Sequence, residues 1–284
     1  MFDRVYIEIG NICNMSCSFC AGTNRKGRQM SVSEFELICK RLRGHTEHLL
    51  FHVMGEPLLH PELGSFLRMA GEFGYKVSIT TNGTLLSVAR DVLISNADVI
   101  HRVSISLHAP EGNGTEYALD GYLADVIGFA KQFSELDKNV VFRLWNLDSE
   151  SRAGENSQNE RILSTLRDSY TGEWEKRYSG YRLAYRTFLE LDEIFTWPKD
   201  STAMPADTGR CYGLVRQIAI LADGTVVPCC LDSDGLMPLG NIFSQKLSDI
   251  LSSPTAAAMK KGFLSGIMVH SVCKKCSYAR RFLK

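Results

Sequence analysis

Short apolar runs alternate with amphipathic stretches through the first two thirds of the chain, and this alternation restricts the fold more than any other feature. Six runs have the composition of strands, and five stretches between them place apolar residues at helical spacing. Repeated strand-helix units predict an α/β fold with a parallel sheet, flat or curved into a barrel, whose chemistry collects at the carboxyl ends of the strands. The predicted strands are 5–10, 48–54, 75–80, 100–106, 139–145 and 184–191, and the predicted helices are 31–43, 60–74, 84–97, 121–136 and 157–170.

The alternation of strand and helix patterns ends near residue 197. A turn-rich connector is followed by two alternating runs joined by Asp223-Gly224, a dipeptide favoured in tight primed turns, and then by a helical pattern over 247–263. We therefore expect one domain over 1–196 and a smaller one over 197–284. Within the first, Ser33 and Glu36 have the spacing of a helix capping box.

Composition excludes several classes of protein. The 284 residues are 44% hydrophobic and 23% charged, which is enough to bury a full core. Lys plus Arg equals Asp plus Glu at 32 each, so no net field attracts nucleic acid or an anionic membrane. No signal peptide and no membrane-length apolar run is recognisable. We expect a cytoplasmic protein with no nucleic-acid or membrane partner.

Three cysteines follow the first predicted strand within eight residues: Cys13, Cys17 and Cys20. In a reducing compartment such spacing favours a metal site over disulfides. Three thiolates can hold an iron-sulfur cluster with one open iron, or a zinc ion whose fourth ligand, such as His45 or His52, comes from elsewhere. Another of the nine cysteines, Cys39, lies in a helical pattern and is predicted to be core.

A second group of cysteines lies in the C-terminal part of the chain. Four thiolates there could hold structural zinc or an iron-sulfur cluster with every metal position filled. Cys230 is the neighbour of Cys229 on an extended strand and should point elsewhere, so we expect it not to be a ligand. The four expected ligands are Cys211, Cys229, Cys273 and Cys276.

The first motif, C-x3-C-x2-C with Phe19 before the last cysteine, resembles the signature of the radical S-adenosylmethionine superfamily. Met54-Gly55-Glu56-Pro57 is similar to that family's Gly-Gly-Glu-Pro loop, with Met54 in place of the first glycine. The resemblance covers residues 3–195. It implies a partial (β/α)6 barrel and a [4Fe-4S] cluster whose open iron is chelated by S-adenosylmethionine, which is cleaved to a 5'-deoxyadenosyl radical.

The resemblance also implies a site for S-adenosylmethionine. A carboxylate such as Glu56 suits its ammonium group, and the guanidinium of Arg143 suits its planar carboxylate. The positions that match the family's contacts to this cofactor are Phe19, Gly55, Glu56, Thr80, Asn82, Ser104, Ser106, Arg143 and Asn146.

The spacing C-x12-G-x4-C, from Cys211 through Gly224 to Cys229, resembles the opening of the auxiliary-cluster domains called SPASM and, when shortened, twitch. The further cysteines of a full SPASM domain are missing. The resemblance therefore implies a β-hairpin plus helix that holds one auxiliary [4Fe-4S] cluster.

Pocket residues should come from strand ends and the loops that close the sheet. The acidic segments LELDE and CLDSD would suit a cationic amine or the donor edge of a nucleobase. Because the first strand begins near residue 5, we expect no leader-peptide domain before it and a small-molecule substrate. The candidate catalytic residues are His52, His108, Arg186, Glu190, Asp192, Asp232 and Asp234.

Several functions fit this interpretation. The best specific match is a lyase like the family's queuine lyase, which frees a deazaguanine base for salvage. A dehydrogenase like the family's aminocyclitol dehydrogenase, in which the auxiliary cluster accepts an electron, is the first alternative, and a peptide-modifying or maturation enzyme the second. All three need an external one-electron donor such as flavodoxin or ferredoxin. A zinc-stapled binding protein is the alternative that is not an enzyme.

Overall fold

A computed structural model describes residues 1–110, 118–147, 157–194 and 196–280. One large sheet dominates this structure. Its strands are β1 (Arg4–Ile7), β2 (His48–Phe51), β3 (Lys76–Thr81), β4 (Ile100–Ser106), β5 (Asn139–Leu147), β6 (Glu175–Arg177), β7 (Gly180–Ala184), β8 (Thr187–Glu193), β9 (Gln217–Ile220), β10 (Thr225–Val227) and β11 (Gly240–Asn241).

The sheet has the order β11-β10-β9-β1-β2-β3-β4-β5-β8-β7-β6. The strands β1, β2, β3, β4, β5 and β8 pair in parallel, so their carboxyl ends lie along one edge. Antiparallel β7 and β6 extend the sheet beyond β8. The predicted α/β fold with a parallel sheet is confirmed, and the two free edges agree with a barrel that does not close.

Helices cover the outer face of the sheet because its outward residues are apolar. Val5 and Ile7 of β1 are fully buried on that face, whereas Arg4 and Tyr6 alternate to the inner face. Phe35 and Phe66 stack at 4.5 Å between the first two helices. The helices are α1 (Val32–Leu42), α2 (Leu63–Glu72), α3 (Leu86–Ser95), α4 (Leu119–Glu135), α5 (Ser157–Ser169), α6 (Leu247–Leu251), α7 (Pro254–Leu264), α8 (Ser271–Lys274) and α9 (Ser277–Arg280), with a 3-10 turn at Pro57–Leu59.

The capping box of α1 lies two residues before the predicted one. Ser31, not Ser33, is the N-cap: the Glu34 backbone N–H donates to Ser31 Oγ, and the Ser31 backbone N–H donates to Glu34 Oε2 at 2.8 Å. The prediction of Ser33 with Glu36 was wrong because S-x-x-E occurs twice in this stretch. Glu36 instead pairs with Lys40 on the helix surface.

The C-terminal segment continues the sheet on the other side of β1. Strand β9 pairs in parallel with β1, and β10 returns antiparallel. Their connection is not the predicted primed turn: Gly224 has a φ of 83°, Asp223 keeps a negative φ, and the Gly224 N–H donates to Leu221 O. The predicted helix over 247–263 is two helices, because Ser253 caps a new one at Pro254.

No helix in the described ranges is both long and apolar enough to cross a membrane.

Candidate active site

The first cysteine group lies in the loop that leaves the carboxyl end of β1, as the sequence predicts. Cys13 and Cys20 are exposed and Cys17 is partly buried. The Met15 N–H points to Cys13 Sγ and the Gly22 N–H to Cys20 Sγ, each at 3.4 Å. Amide donors directed at sulfur stabilise thiolates, the form that binds iron.

The loop after β2 packs directly against this cysteine loop. Gly55 has a φ of 79°, and a Cβ there would collide with the carbonyl oxygen of Gly10 and lie 2.9 Å from Asn11 Cα. The next residue, Glu56, donates its backbone N–H to Ile12 O at 2.9 Å. Only glycine allows this close approach of the two loops. Met54, which replaces the family's first glycine, has a buried side chain.

The carboxylate of Glu56 is buried and accepts three hydrogen bonds. The donors are Thr81 Oγ1 at 2.7 Å, the Asn82 N–H at 2.8 Å and the Leu58 N–H at 3.0 Å. Burial raises the pKa of Glu56, while these donors oppose that rise. The end of β3 and the loop after β2 are therefore held in one arrangement by a single side chain.

Asn82 connects the same region to the cysteine loop. Its Nδ2 donates to Asn14 Oδ1 at 3.0 Å and lies 3.9 Å from Cys13 Sγ. Its backbone carbonyl accepts from the hydroxyl of Tyr122, at 2.8 Å. Asn82 thus fixes the first cysteine relative to the end of β3.

The second cysteine group comes together from three separate elements. Cys211 precedes β9, Cys229 follows β10, and Cys273 and Cys276 lie at α8. The thiols lie close enough to influence one another: burial, Cys230, Cys211 and Cys273 raise the pKa of Cys229, and burial, Cys211 and Cys276 raise the pKa of Cys273 to about 12. Protonated thiols are costly to ionise here unless a metal cation neutralises the group.

Cys230 has a hydrogen-bond partner outside this group. Burial, the first cause, raises its pKa to about 11, and its thiol shares a hydrogen bond with the hydroxyl of Tyr6 on the inner face of β1. The structure thus places Cys230 beside Tyr6 of the sheet and Cys229 beside Cys211 and Cys273.

Both cysteine groups line one cavity of about 700 Å³ on the inner side of the sheet. Such a volume is typical of small-molecule sites. The cavity-lining cysteines are Cys13, Cys17, Cys20, Cys211, Cys229, Cys230 and Cys276, and the lining residues that the sequence also predicted are Phe19, His52, Gly55, Glu56, Thr80, Asn82, Ser106, His108, Arg143 and Asp192.

The two histidines of the cavity are neutral at ordinary pH. Burial, reinforced by the charge of Arg143, lowers the pKa of His52 to about 4. Burial also lowers the pKa of His108 to about 4, and its Nδ1 lies 3.1 Å from Arg143 O. The ring of Phe19 packs on His108 at 4.8 Å between centroids.

Two predicted cofactor contacts do not line the cavity. Ser104 is buried in β4, and Asn146 exchanges side-chain hydrogen bonds with Asn159 at 3.0 and 3.2 Å. Two predicted pocket residues, Glu190 and Arg186, are likewise not among the residues that line the cavity. Glu190 pairs with the cavity-lining residue Arg143, and half-buried Arg186 pairs with Asp137 away from the cavity.

Asp232 and Asp234 have structural contacts. Asp232 is buried and accepts the N–H groups of Leu236 and Met237, at 2.8 Å each. Asp234 accepts from Lys199 Nζ at 2.9 Å. Short acidic segments predicted an acidic pocket, but loop carboxylates are often used to order their own turns, and both of these are.

The cysteine loop is also tied to the C-terminal segment. Thr23 Oγ1 donates to Asp234 Oδ1 at 2.7 Å, and Arg25 donates to Glu8 at 2.6 Å and to Ser233 O at 2.9 Å. These contacts join the two segments that carry the two cysteine groups.

The sequence prediction missed the side chains that form the floor and walls of the cavity. They belong to inward positions of strands and to aromatic residues of the C-terminal segment, and period-two alternation on β1 and β4 could have indicated the first set. These residues are Arg4, Tyr6, Leu50, Ser78, Arg102, Trp145, Trp197, Arg210, Tyr212, Gln217 and Tyr278.

No three His, Cys, Asp or Glu side chains in the described ranges are close enough to hold a single metal ion. The ligands of an iron-sulfur cluster need not converge on one metal ion, because each thiolate binds its own iron atom. Three thiols on one loop with amide donors at sulfur, and four thiols that three elements bring near one another, have the chemistry that such clusters need.

Comparison with known protein families gives two matches. The radical SAM superfamily matches residues 7–152, about half of the chain, and the iron-sulfur cluster-binding domain SPASM matches residues 211–277. The chain belongs to the radical S-adenosylmethionine superfamily and is a radical SAM enzyme with an auxiliary-cluster domain. Its cofactors are S-adenosylmethionine and two [4Fe-4S] clusters, one in each matched domain.

Among curated relatives, the S-adenosyl-L-methionine-dependent 2-deoxy-scyllo-inosamine dehydrogenase of Niallia circulans is 23% identical over 285 residues, which span 98% of this chain and 93% of the relative. GTP 3',8-cyclase of Chlorobaculum tepidum is 32% identical over 96 residues, or 32% of this chain. That match spans only 29% of the cyclase.

Among solved structures, BtrN in complex with AdoMet and 2-DOIA aligns with a TM-score of 0.62 and 20% identity over 98% of this chain and 93% of that one. For anSMEcpe with bound AdoMet the TM-score is 0.59, with 18% identity over 98% and 84%. At these identities the likeness shows a shared fold.

Proposed function

We propose that this enzyme abstracts a hydrogen atom from a small hydroxylated molecule and oxidises it by two electrons, as a radical SAM dehydrogenase. The observation that carries this proposal is the shared cavity, which is lined by cysteines of both groups. A substrate between the two groups would be in reach of both clusters. An external one-electron donor such as flavodoxin or ferredoxin would reduce the enzyme.

In this proposal Cys13, Cys17 and Cys20 hold the cluster that binds S-adenosylmethionine, and Cys211, Cys229, Cys273 and Cys276 hold the auxiliary cluster. When bound, the first cluster and S-adenosylmethionine supply a carbon radical that removes a hydrogen atom, and the auxiliary cluster supplies an acceptor for the second electron.

The residues of the chain would bind and orient S-adenosylmethionine and the substrate. Glu56 and Asn82 lie beside Cys13 and are suited to the polar methionine end of S-adenosylmethionine, since a carboxylate and an amide oxygen accept from an ammonium group. Ser106 at the end of β4 offers a hydroxyl to the ribose. Trp145 and Trp197 line the cavity and exclude water from it.

Oxidation of a hydroxyl to a carbonyl also releases a proton. Asp192 lines the cavity at the end of β8 and carries a carboxylate that can accept it. His52 and His108 also line the cavity, and burial lowers the pKa of each to about 4.

The full-length match to a dehydrogenase supports oxidation over the other outcomes that the sequence left open. A lyase that releases a deazaguanine base from queuine, and a peptide-modifying enzyme, would use the same first step. These outcomes differ in the product, so the product decides among them.

The test is a substrate-dependent deoxyadenosine assay on the anaerobically reconstituted enzyme, with aminocyclitols, other small amines and hydroxylated molecules, and nucleobases including queuine. We expect one oxidised product per deoxyadenosine, with deuterium transferred from a C–H bond next to a hydroxyl. Cys276→Ser should still cleave S-adenosylmethionine but lose the oxidised product. Release of a free base without net oxidation would contradict the dehydrogenase, and zinc in place of iron at both sites would contradict the whole proposal.

A further inference from the structure

The floor of the cavity is built from arginines. Arg4 on β1, Arg102 on β4 and Arg143 on β5 all line it, and we refer to these three residues as the arginine floor. Arg143 is only 9% exposed. Glu190 is a counterion shared by two of them: its carboxylate lies 3.7 Å from Arg102 Nη1 and 3.4 Å from Arg143 Nε.

Two of these three positive charges share one carboxylate, Glu190, in a partly buried place, and a second carboxylate, Asp192, lines the same cavity. The Nε groups of Arg4 and Arg102 are inaccessible to solvent and make no hydrogen bond to any described residue. Burial, and repulsion by Arg102, lower the pKa of Arg143 despite the opposing effect of Glu190. Unmatched buried cations and donors are costly, and an anion bound among them would satisfy both.

Arg102 lies below the place where S-adenosylmethionine is expected, whereas Arg143 pairs in register with Ser106 and lies at its level. Arg102 precedes Ser106 by four residues on β4, which is about 13 Å along a strand. The cysteine loop and Glu56 lie at the carboxyl ends of the strands, on the Ser106 side. The methionine carboxylate, bound beside that cysteine loop, is too far away to neutralise Arg102.

Two polar groups near the arginine floor, His52 and Tyr6, are neutral. His52 lies close enough to Arg143 to feel its charge, and its pKa of about 4 keeps the imidazole uncharged. The Tyr6 ring lies 6.0 Å from that of His52, and burial raises the pKa of the Tyr6 hydroxyl. Both can contribute hydrogen bonds without cancelling the positive charge.

We propose that the substrate carries an anionic group, a carboxylate or a phosphate, which is bound by the arginine floor. Guanidinium groups bind both anions with paired, charge-assisted hydrogen bonds. This inference rests on the proposed function, because it takes the same cavity as the substrate site. It also differs from the expectation of a cationic amine or the donor edge of a nucleobase, since Asp232 and Asp234 are engaged elsewhere.

The test is isothermal titration calorimetry of inorganic phosphate and of acetate into the anaerobically reconstituted enzyme loaded with S-adenosylmethionine, in a buffer free of both anions. We expect saturable binding of at least one anion, weakened about tenfold or more in Arg102→Gln and Arg143→Gln. Tighter binding of phosphate indicates a phosphate ester, and tighter binding of acetate a carboxylic acid. The matched control is Arg186→Gln, an arginine that pairs outside the cavity and should change nothing.

Failure of both anions to bind, or equal binding by the wild type and Arg102→Gln, overturns the proposal. So does a loss of affinity for S-adenosylmethionine in Arg143→Gln with phosphate and acetate binding unchanged, because Arg143 would then serve the cofactor. The titration needs no turnover, so it is separate from the deoxyadenosine assay. Anion binding through Arg102 in an enzyme that oxidises nothing would leave this inference standing and remove the proposed dehydrogenase.

Discussion

Thr23 Oγ1 donates to Asp234 Oδ1 at 2.7 Å across 211 positions of the sequence. Thr23 lies in the loop of the first cysteine group, three residues after Cys20, and Asp234 lies in the segment that follows Cys229 and Cys230. The Asn24 N–H donates to the same carboxylate at 2.8 Å, and Lys199 pairs with it. The segments that carry the two cysteine groups are therefore joined by hydrogen bonds to one aspartate.

Asp234→Asn should lower the free energy of unfolding by roughly 1–2 kcal/mol, because hydrogen bonds to a charged, buried acceptor are stronger than those to an amide. Burial alone would raise the pKa of Asp234, but Thr23, Lys199 and Asn24 outweigh it and lower that pKa. A carboxyl with a lowered pKa contributes fully above its unfolded value, so the difference from the wild type should be constant from about pH 6 to about pH 9.

Denaturant unfolding under anaerobic conditions measures this difference. Asp207→Asn is the matched control, because Asp207 pairs with Lys274 at an exposed position where such pairs contribute less than about 1 kcal/mol. Equal losses of unfolding free energy in the two variants would show that the Asp234 carboxylate stabilises the fold no more than an exposed carboxylate does.

Cys230→Ser should retain the full iron content of the enzyme, whereas Cys229→Ser should lose the auxiliary cluster. The reason is that Cys230 bonds to Tyr6 while Cys229 faces Cys211 and Cys273. Iron and sulfide analysis after reconstitution should give about eight iron atoms per chain for Cys230→Ser and about four for Cys229→Ser. Loss of iron from both variants would show that Cys230 is itself a cluster ligand or that it is needed to hold a ligand in place.

Much of the fold follows from local pattern. Every parallel strand of the barrel was predicted within a few residues, because buried apolar runs and helical periodicity are visible in the sequence. Errors occurred where two local signals competed, as with Ser31 and Ser33, or where a proline began a new helix at residue 254.

The candidate site was predicted less completely than the fold. Cysteine spacing predicted both thiol groups, but charge along the chain predicted an acidic pocket, whereas the cavity floor carries Arg4, Arg102 and Arg143. Which carboxylate faces a cavity and which caps a turn depends on tertiary contacts, such as that of Asp234 with Lys199, and no local pattern encodes those.

Gly55→Ala should destabilise the enzyme and prevent binding of S-adenosylmethionine, because a Cβ there would collide with the loop at Gly10 and Asn11. Gly44→Ala is the matched control: Gly44 has a similar φ of 76°, yet a Cβ there would meet no atom within 4 Å, so only backbone strain of about 1 kcal/mol is expected. Thermal unfolding and equilibrium dialysis of S-adenosylmethionine measure the two effects. Equal losses in both variants would mean that the close approach of the loops is unimportant.

Glu56→Gln should weaken binding of S-adenosylmethionine about tenfold or more and cost roughly 1–3 kcal/mol of stability. The amide nitrogen of glutamine cannot accept, so at least one of the donors Thr81, Asn82 and Leu58 loses its partner in a buried place. The cofactor's ammonium group would also lose a charged acceptor. Glu62→Gln, at an exposed position six residues on, controls for loss of charge alone. Equilibrium dialysis on the reconstituted enzyme gives the affinity. Reduced stability with unchanged affinity would restrict Glu56 to holding the loop together, and the ammonium group would then need another acceptor in the cavity.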